Sequence, residues 1–198
     1  FASSRTQDAF KPILEILAGI PTVVYGYFAI TFITPLIREF FPTTQIFNGL
    51  SATIVVAIMI IPMISSLCDD AFRSLPKSLK EGGYALGATS FEVAKDILVP
   101  AAAGRIIAAV LLALSRAIGE TMAVTLAAGS TPTMDIDFLK SIQTMTAFIV
   151  QVSLGDTPAG GPEYLSAFAV GTTLFIITMF MNGVGSMLIV KSSKKAIS

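Results

Sequence analysis

Arg116 and Glu120 lie one helical turn apart inside Ile106–Ala128, a stretch otherwise apolar and long enough to cross a membrane. A guanidinium and a carboxylate are costly at that depth, so such a pair marks a functional site by default. On a continuous helix the four-residue spacing brings both side chains to one face. Arg116 follows Arg105 by about 16 Å at ~1.5 Å per residue, roughly half of a ~30 Å hydrocarbon core, which puts the pair near the midplane. Arg116 supplies a planar, multi-donor head that stays protonated and suits oxyanions. A second reading makes the two charges a buried ion pair that fixes helix packing; breaking one costs about 3–5 kcal/mol.

Composition narrows the elements that must hold this pair. The 198 residues are 54% hydrophobic and 13% charged, with a mean hydropathy of +0.78, whereas soluble domains carry about 25% charged residues. The chain reads as an integral membrane protein. A net charge of zero argues against a nucleic-acid partner. With no histidine and one cysteine, Cys68, His-based acid–base catalysis, His/Cys metal sites and intramolecular disulfides are removed. Cys68, beside Asp69 at a helix end, reads as a small buried hydrophobe. The chain opens at Phe1 with neither an initiator methionine nor a signal-peptide pattern, and is expected to be incomplete at its N-terminus.

Stretches free of Asp, Glu, Lys and Arg place the spans at Ile16–Ile37, Phe40–Cys68 and Tyr164–Val190, each beyond the ~18–20 residues that crossing requires. Ile106–Ala128 is the fourth once the charge pair is admitted. The expected helices are Pro12–Ile37, Phe47–Leu67, Ile106–Ala128 and Leu165–Val190, which makes an all-α, polytopic helical membrane protein. Pro21, Gly26 and Pro35 in the first and Pro62 in the second predict kinks or a broken start, tolerated where neighbours re-satisfy the freed backbone groups. Ala109, Ala113 and Ala117 form a small-residue stripe suited to close helix packing.

Orientation follows from the basic residues. Arg5 and Lys11 precede the first span; Arg73, Lys77, Lys80, Lys95 and Arg105 separate the second and third; Lys191, Lys194 and Lys195 follow the fourth. The two other loops hold only Arg38 and Lys140. The positive-inside rule then puts both termini and the 69–105 loop in the cytoplasm. The outer loop, 129–163, is acidic through Asp135, Asp137, Asp156 and Glu163. Within it, Ile142–Leu154 is apolar but too short to span, and predicts a re-entrant or surface helix that either lids a pathway or only packs.

The cytoplasmic loop is too regular for a plain connector. Leu75-Pro76 starts a helix, since Pro suits a first turn; Gly87 ends it in a left-handed cap. Thr89 or Ser90 caps the next helix, with Glu92 in its first turn, and Pro100 is expected to interrupt that helix before the membrane. Leu79, Tyr84 and Leu86 on the first helix and Phe91, Val93, Ala94, Ile97 and Leu98 on the second give the knob apolar surface that calls for a cytosolic partner. The order Glu81-x5-Gly87-x9-Ile97-x-Val99-Pro100 resembles the EAA loop of ABC importer permeases, E-A-A-x3-G-x9-I-x-L-P. Glu81, Gly87, Ile97 and Pro100 match. Gly82 and Gly83 stand in the alanine slots and Val99 in the leucine slot, and two glycines weaken a helix by about 1 kcal/mol each. Gly82-x4-Gly87-Ala88-Thr89 is similar to a P-loop but lacks its lysine and a preceding strand, so nucleotide binding is not expected of this chain.

Two further segments narrow the resemblance. Lys11-Pro12-x-Leu14-Glu15-x-Leu17-Ala18-Gly19-Ile20-Pro21-x-Val23-Val24-Tyr25-Gly26 resembles phosphate-importer permeases. Arg116-Ala117-Ile118-Gly119-Glu120-Thr121-Met122-Ala123-Val124 and Gln143-Thr144-Met145-Thr146-Ala147 resemble the PstC-type subunit among them. The resemblance implies a type I ABC importer transmembrane domain (MetI-like) over 1–198, lacking its N-terminal helices, in a bacterial inner membrane. It implies that 69–105 is the coupling loop that seats on an ATPase, through Glu81, Gly82, Gly83, Gly87, Ile97 and Pro100, and that 129–163 is periplasmic. It implies a PstA-like permease, a PstB-like ATPase dimer and a PstS-like phosphate-binding protein as partners, with ATP and Mg bound by the ATPase subunits, no cofactor in this chain and no enzymatic activity of its own. Phosphate needs donors and positive charge on its path. Arg116 would meet the anion with Glu120 tempering it, or the two would latch a gate; Thr121 and Thr125 would add hydroxyl donors or merely bond their own backbone. The alternatives are a sulfate, molybdate or tungstate permease, an ion-coupled secondary transporter using Glu120 as a proton site, and a purely structural membrane subunit.

Overall fold

The computed structural model describes residues 4–158 and 160–195; the side chains of 1–9, 11 and 190–198 are not described, so Arg5, Lys11, Lys191, Lys194 and Lys195 lie outside what it says of side chains. Its helices are α1 (Ser4–Gly19), α2 (Thr22–Phe40), α3 (Gly49–Arg73), α4 (Lys77–Ala85), α5 (Ser90–Ile118), α6 (Met122–Ala128), α7 (Met145–Leu154) and α8 (Pro162–Lys195). Among the described residues there is no strand. Among the described residues four helices are long and apolar enough to cross a membrane, Thr22–Phe40, Gly49–Arg73, Ser90–Ile118 and Pro162–Ile189, the number expected, although the third begins and ends well before the expected Ile106–Ala128.

The prolines explain where the helices depart from expectation. Pro21, extended at ψ 140°, parts α1 from α2, so the first expected helix has the broken start. Pro35 and Pro100, by contrast, do not stop their helices. Each follows a wide π turn, over Ala29–Ile33 and Val93–Leu98. A proline has no N–H for the carbonyl one turn back, and its ring crowds that carbonyl. Widening the preceding turn re-aims those groups and lets the helix continue. The expected interruption at Pro100 is therefore corrected: the second helix of the knob and the third span are one rod. α3 also runs past the expected Leu67 to Arg73, its last turn carrying an Asp69–Arg73 ion pair of 2.7 Å. Cys68 is half-buried.

The chain divides into two compact units, one from Gly19–Ile60 and Arg116–Met179, the other from the residues up to Ala18, Ile61–Ser115 and those from Phe180 onward. In the first, α2 packs on α6 at Gly26, where a Cβ would stand 2.9 Å from the Leu126 Cβ and 3.1 Å from the Ala123 carbonyl. Three segments are laced together beside it: Gln45 N–H donates to the Leu139 carbonyl at 2.9 Å, Asn48 N–H to Ala127 at 3.0 Å, Leu50 N–H to Phe138 at 2.8 Å and Ile142 N–H to Ala128 at 3.1 Å. Asn48 is the buried hub of that lacing. Its Nδ2 donates to Thr34 Oγ1 and the Gln45 carbonyl at 3.1 Å each, and its Oδ1 accepts the Ser51 N–H at 2.8 Å. In the second unit, Arg105 donates to the Ser74 hydroxyl. Gly185 of α8 comes within 3.6 Å (ideal Cβ) of the Ala108 carbonyl, and Ala109 and Ala113 of the alanine stripe are buried, so these two face protein.

Candidate functional site

The expected continuous helix over Ile106–Ala128 is broken. α5 ends at Ile118 and α6 begins at Met122, so Arg116 and Glu120 do not share a helix face. Gly119 lowers helix propensity, and Glu120 and Thr121 supply side chains that satisfy backbone groups locally. The Glu120 N–H reaches back only to the Ala117 carbonyl, at 3.1 Å. The Glu120 Oε1 turns to the first turn of α6 and accepts the Ala123 N–H at 3.3 Å. Glu120 is half-buried and Arg116 exposed, and among the described residues no ion pair joins them. Thr121 donates to the Gly119 carbonyl at 3.2 Å and Thr125 to the Thr121 carbonyl at 2.7 Å. Both threonine hydroxyls thus spend their proton on the backbone.

Sequence reasoning missed one residue at this break. Thr146, in the first turn of α7, is 5% exposed and donates its hydroxyl to the Glu120 carbonyl at 2.9 Å. The Thr144 hydroxyl caps α7 by accepting the Ala147 N–H at 3.2 Å. A threonine three residues before an amide at the head of an apolar run is a cap signal, and it sits in Gln143–Ala147. The tie to Glu120 has no sequence signal, because it spans 26 residues. α7 falls within the expected Ile142–Leu154. Together with the first half of α8 it borders a cavity of about 710 Å³ between Ile149, Val152, Tyr164, Phe168 and Phe175.

The six residues expected in the coupling loop occupy α4, the turn after it and the first turns of α5. Gly87 takes φ +85°, a left-handed conformation that favours glycine. Thr89 and Glu92 then form a reciprocal capping box: the Thr89 N–H donates to Glu92 Oε2 at 2.7 Å and the Glu92 N–H to Thr89 Oγ1 at 3.4 Å. The helix passes through Gly82 and Gly83. At Gly83 a Cβ would stand 2.6 Å from Ile97 Cδ1 and 3.0 Å from Val93 Cγ2, whereas at Gly82 it would meet nothing within 4 Å. Gly83 and Ile97 are therefore one packing contact, and Glu81 and Gly82 lie on the exposed side with Leu86 and Phe91, 90% and 73% exposed. Pro100 sits in α5, just after the wide turn.

Residues 1–191 match the family described as binding-protein-dependent transport system inner membrane component. The chain belongs to this family. Its all-α, multi-span architecture is that of an ABC importer transmembrane domain, in an inner-membrane component. The chain is 38% identical over 172 residues to a protein of Bacillus subtilis named probable ABC transporter permease protein YqgH, covering 87% of this chain and 55% of that protein. It is 33% identical over 202 residues to the phosphate transport system permease protein PstC of Xylella fastidiosa, covering 92% and 61%, and 35% identical over 188 residues to PstC of Mesorhizobium japonicum, covering 85% and 57%. The chain thus spans little more than half the length of these relatives. No solved structure matches it.

Proposed function

We propose that this chain forms part of the translocation path of an ATP-driven phosphate importer, as a PstC-like subunit. The observation that carries the reading is Arg116: a permanently charged, exposed guanidinium without an ion-pair partner among the described residues, at the point where a spanning helix breaks. Its planar donors suit a tetrahedral oxyanion. The substrate class is supported by similarity to permeases named for phosphate transport over most of the chain. In this reading Arg116 meets the anion, and Glu120, Thr121 and Thr125 shape the break beside it. The α4–α5 knob, with Glu81, Gly82, Gly83, Gly87, Ile97 and Pro100, faces the cytoplasm and docks on an ATPase subunit. The 129–163 loop then faces outward and both termini inward, a sidedness that the distribution of basic residues supports. ATP and Mg belong to a PstB-like ATPase dimer; a PstA-like permease and a PstS-like binding protein complete the assembly.

The test is oxyanion-stimulated ATPase activity of the full-length complex in vesicles. Phosphate is expected to stimulate the wild type, and Arg116→Gln to lower the stimulated rate about tenfold or more, the scale of a lost charge-assisted hydrogen bond. Subunit stoichiometry is measured alongside. Stimulation by molybdate and not by phosphate would overturn the substrate assignment. Unchanged phosphate uptake by Arg116→Gln at normal complex levels would remove Arg116 from the path.

A further inference from the structure

We propose that Thr146 is a positioning residue that ties the short helix α7 to the break carrying Glu120, so that α7 and the proposed anion path adjust together. The inference rests on the function proposed above. Thr146 and Thr144 have hydroxyl oxygens 3.1 Å apart. Each hydroxyl has one proton. Thr146 gives its proton to the Glu120 carbonyl at 2.9 Å. Thr144 must therefore donate to Thr146 while accepting the Ala147 N–H. The direction of the chain is fixed: Thr144 to Thr146 to Glu120. It is sheltered, with Thr146 5%, Ala147 1% and Ala123 1% exposed. Moving the first turn of α7 alone would strand a buried hydroxyl and a carbonyl, shifting the equilibrium against that motion by about ten- to a hundredfold. The cheaper motion takes residues 119–121 along. Those residues set where the Glu120 carboxylate meets the Ala123 N–H, one turn after Arg116 in the last turn of α5.

The test compares Thr146→Val, which keeps the shape and loses the hydroxyl, with Thr146→Ser, which keeps the hydroxyl. Two readouts are taken on the full-length complex in vesicles: amide hydrogen exchange across 119–123, and the phosphate concentration for half-maximal ATPase stimulation against the maximal rate. The valine variant is expected to exchange about tenfold faster at the break, matching one lost hydrogen bond, and to need more phosphate with a smaller change in maximal rate. The serine variant is expected to stay within about twofold of wild type in both, since the donor is kept. Thr146→Cys, a weaker donor, is expected to fall between them and keeps the test decisive should the valine variant fail to assemble. Serine and valine variants that behave alike, both intact or both impaired, would overturn the proposal. A wild type that ignores every oxyanion would overturn the function instead, and the exchange comparison would still decide the role of Thr146.

Discussion

The two neighbouring glycines of α4 offer a matched pair in which helix propensity is constant and packing alone differs. At Gly82 an alanine meets nothing within 4 Å and takes the full gain of about 1 kcal/mol over glycine. At Gly83 the same methyl would stand 2.6 Å from Ile97 Cδ1 and 3.0 Å from Val93 Cγ2, where about 3.5–4.0 Å is comfortable. Ile97 Cδ1 is the end of a flexible side chain and can swing, at about 0.5–1.5 kcal/mol if it leaves its rotamer. Val93 is fully buried and, being β-branched, stiff; overpacking against such a group costs about 1–3 kcal/mol. Gly82→Ala should therefore stabilise the knob by about 1 kcal/mol, and Gly83→Ala should range from neutral to destabilising by about 2 kcal/mol. Hydrogen exchange of the α4 amides in the full-length protein reads this locally, where global unfolding of a membrane assembly is not two-state. Ile97→Val deletes the Cδ1 that clashes, so with Gly83→Ala it should show a favourable coupling of about 1 kcal/mol. If Gly83→Ala protects α4 as well as Gly82→Ala does, or if the coupling with Ile97→Val is zero, the close packing of α4 on α5 is not what glycine 83 serves.

Three other outcomes follow from the geometry. Thr89→Ala removes the cap on α5 and should weaken its first turn by about 0.5–2 kcal/mol, seen as faster exchange at the Glu92 and Val93 amides, with Thr89→Ser close to wild type. Asn48→Ala leaves the Ser51 N–H without its side-chain acceptor and should destabilise residues 45–51 by about 1–3 kcal/mol, detectable as proteolysis there. In the loop before α7, the Leu139 amide first and the Lys140 ammonium, 3.2 Å away, next hold the Asp137 carboxyl below its usual value. A lowered folded value means the contribution is present above the unfolded pKa of about 3.9 and is lost as pH falls through the folded one. Leu139 amide protection, corrected for intrinsic exchange, should drop on that acid side in the wild type and be flat there in Asp137→Asn.

Much of this was readable in the residues, and the misses share a physical cause. Spans are set by runs of apolar side chains against a fixed bilayer thickness, so charge-free stretches located three of them. Caps act over three or four residues, so Gly87, Thr89 and Glu92 announced the turn and the second helix of the knob. Pro100 misled because propensity charges a proline for the missing hydrogen bond and cannot see a widened turn that makes the bond unnecessary. Gly83 was read as a weakness because its benefit is a contact with Ile97, fourteen positions on. The break at Gly119 was hidden by hydropathy, which averages over exactly the residues whose geometry matters. Gly-Glu-Thr with an amide acceptor three residues ahead of Ala123 was the available signal.

The break alters what the two charges ask of each other. In a continuous helix Arg116 and Glu120 would have met one turn apart, and an anion would then have had to displace Glu120, against the ~3–5 kcal/mol that parting a buried pair costs. With the helix broken, Arg116 lies in the last turn of α5, where the negative end of the helix dipole favours a cation. Glu120 precedes α6 and turns its carboxyl to the Ala123 N–H, where the positive end favours an anion. Each terminus contributes about 0.3–1 kcal/mol, so the two groups are stabilised separately and need no mutual contact. On the proposed function that separation is the useful state: the guanidinium keeps its donors free for phosphate, and Glu120 holds the shape of the turn. A latch between the two would then require α6 to release Glu120 first, which makes the geometry of residues 119–121, and not the strength of an ion pair, the quantity that a gate at this position must control.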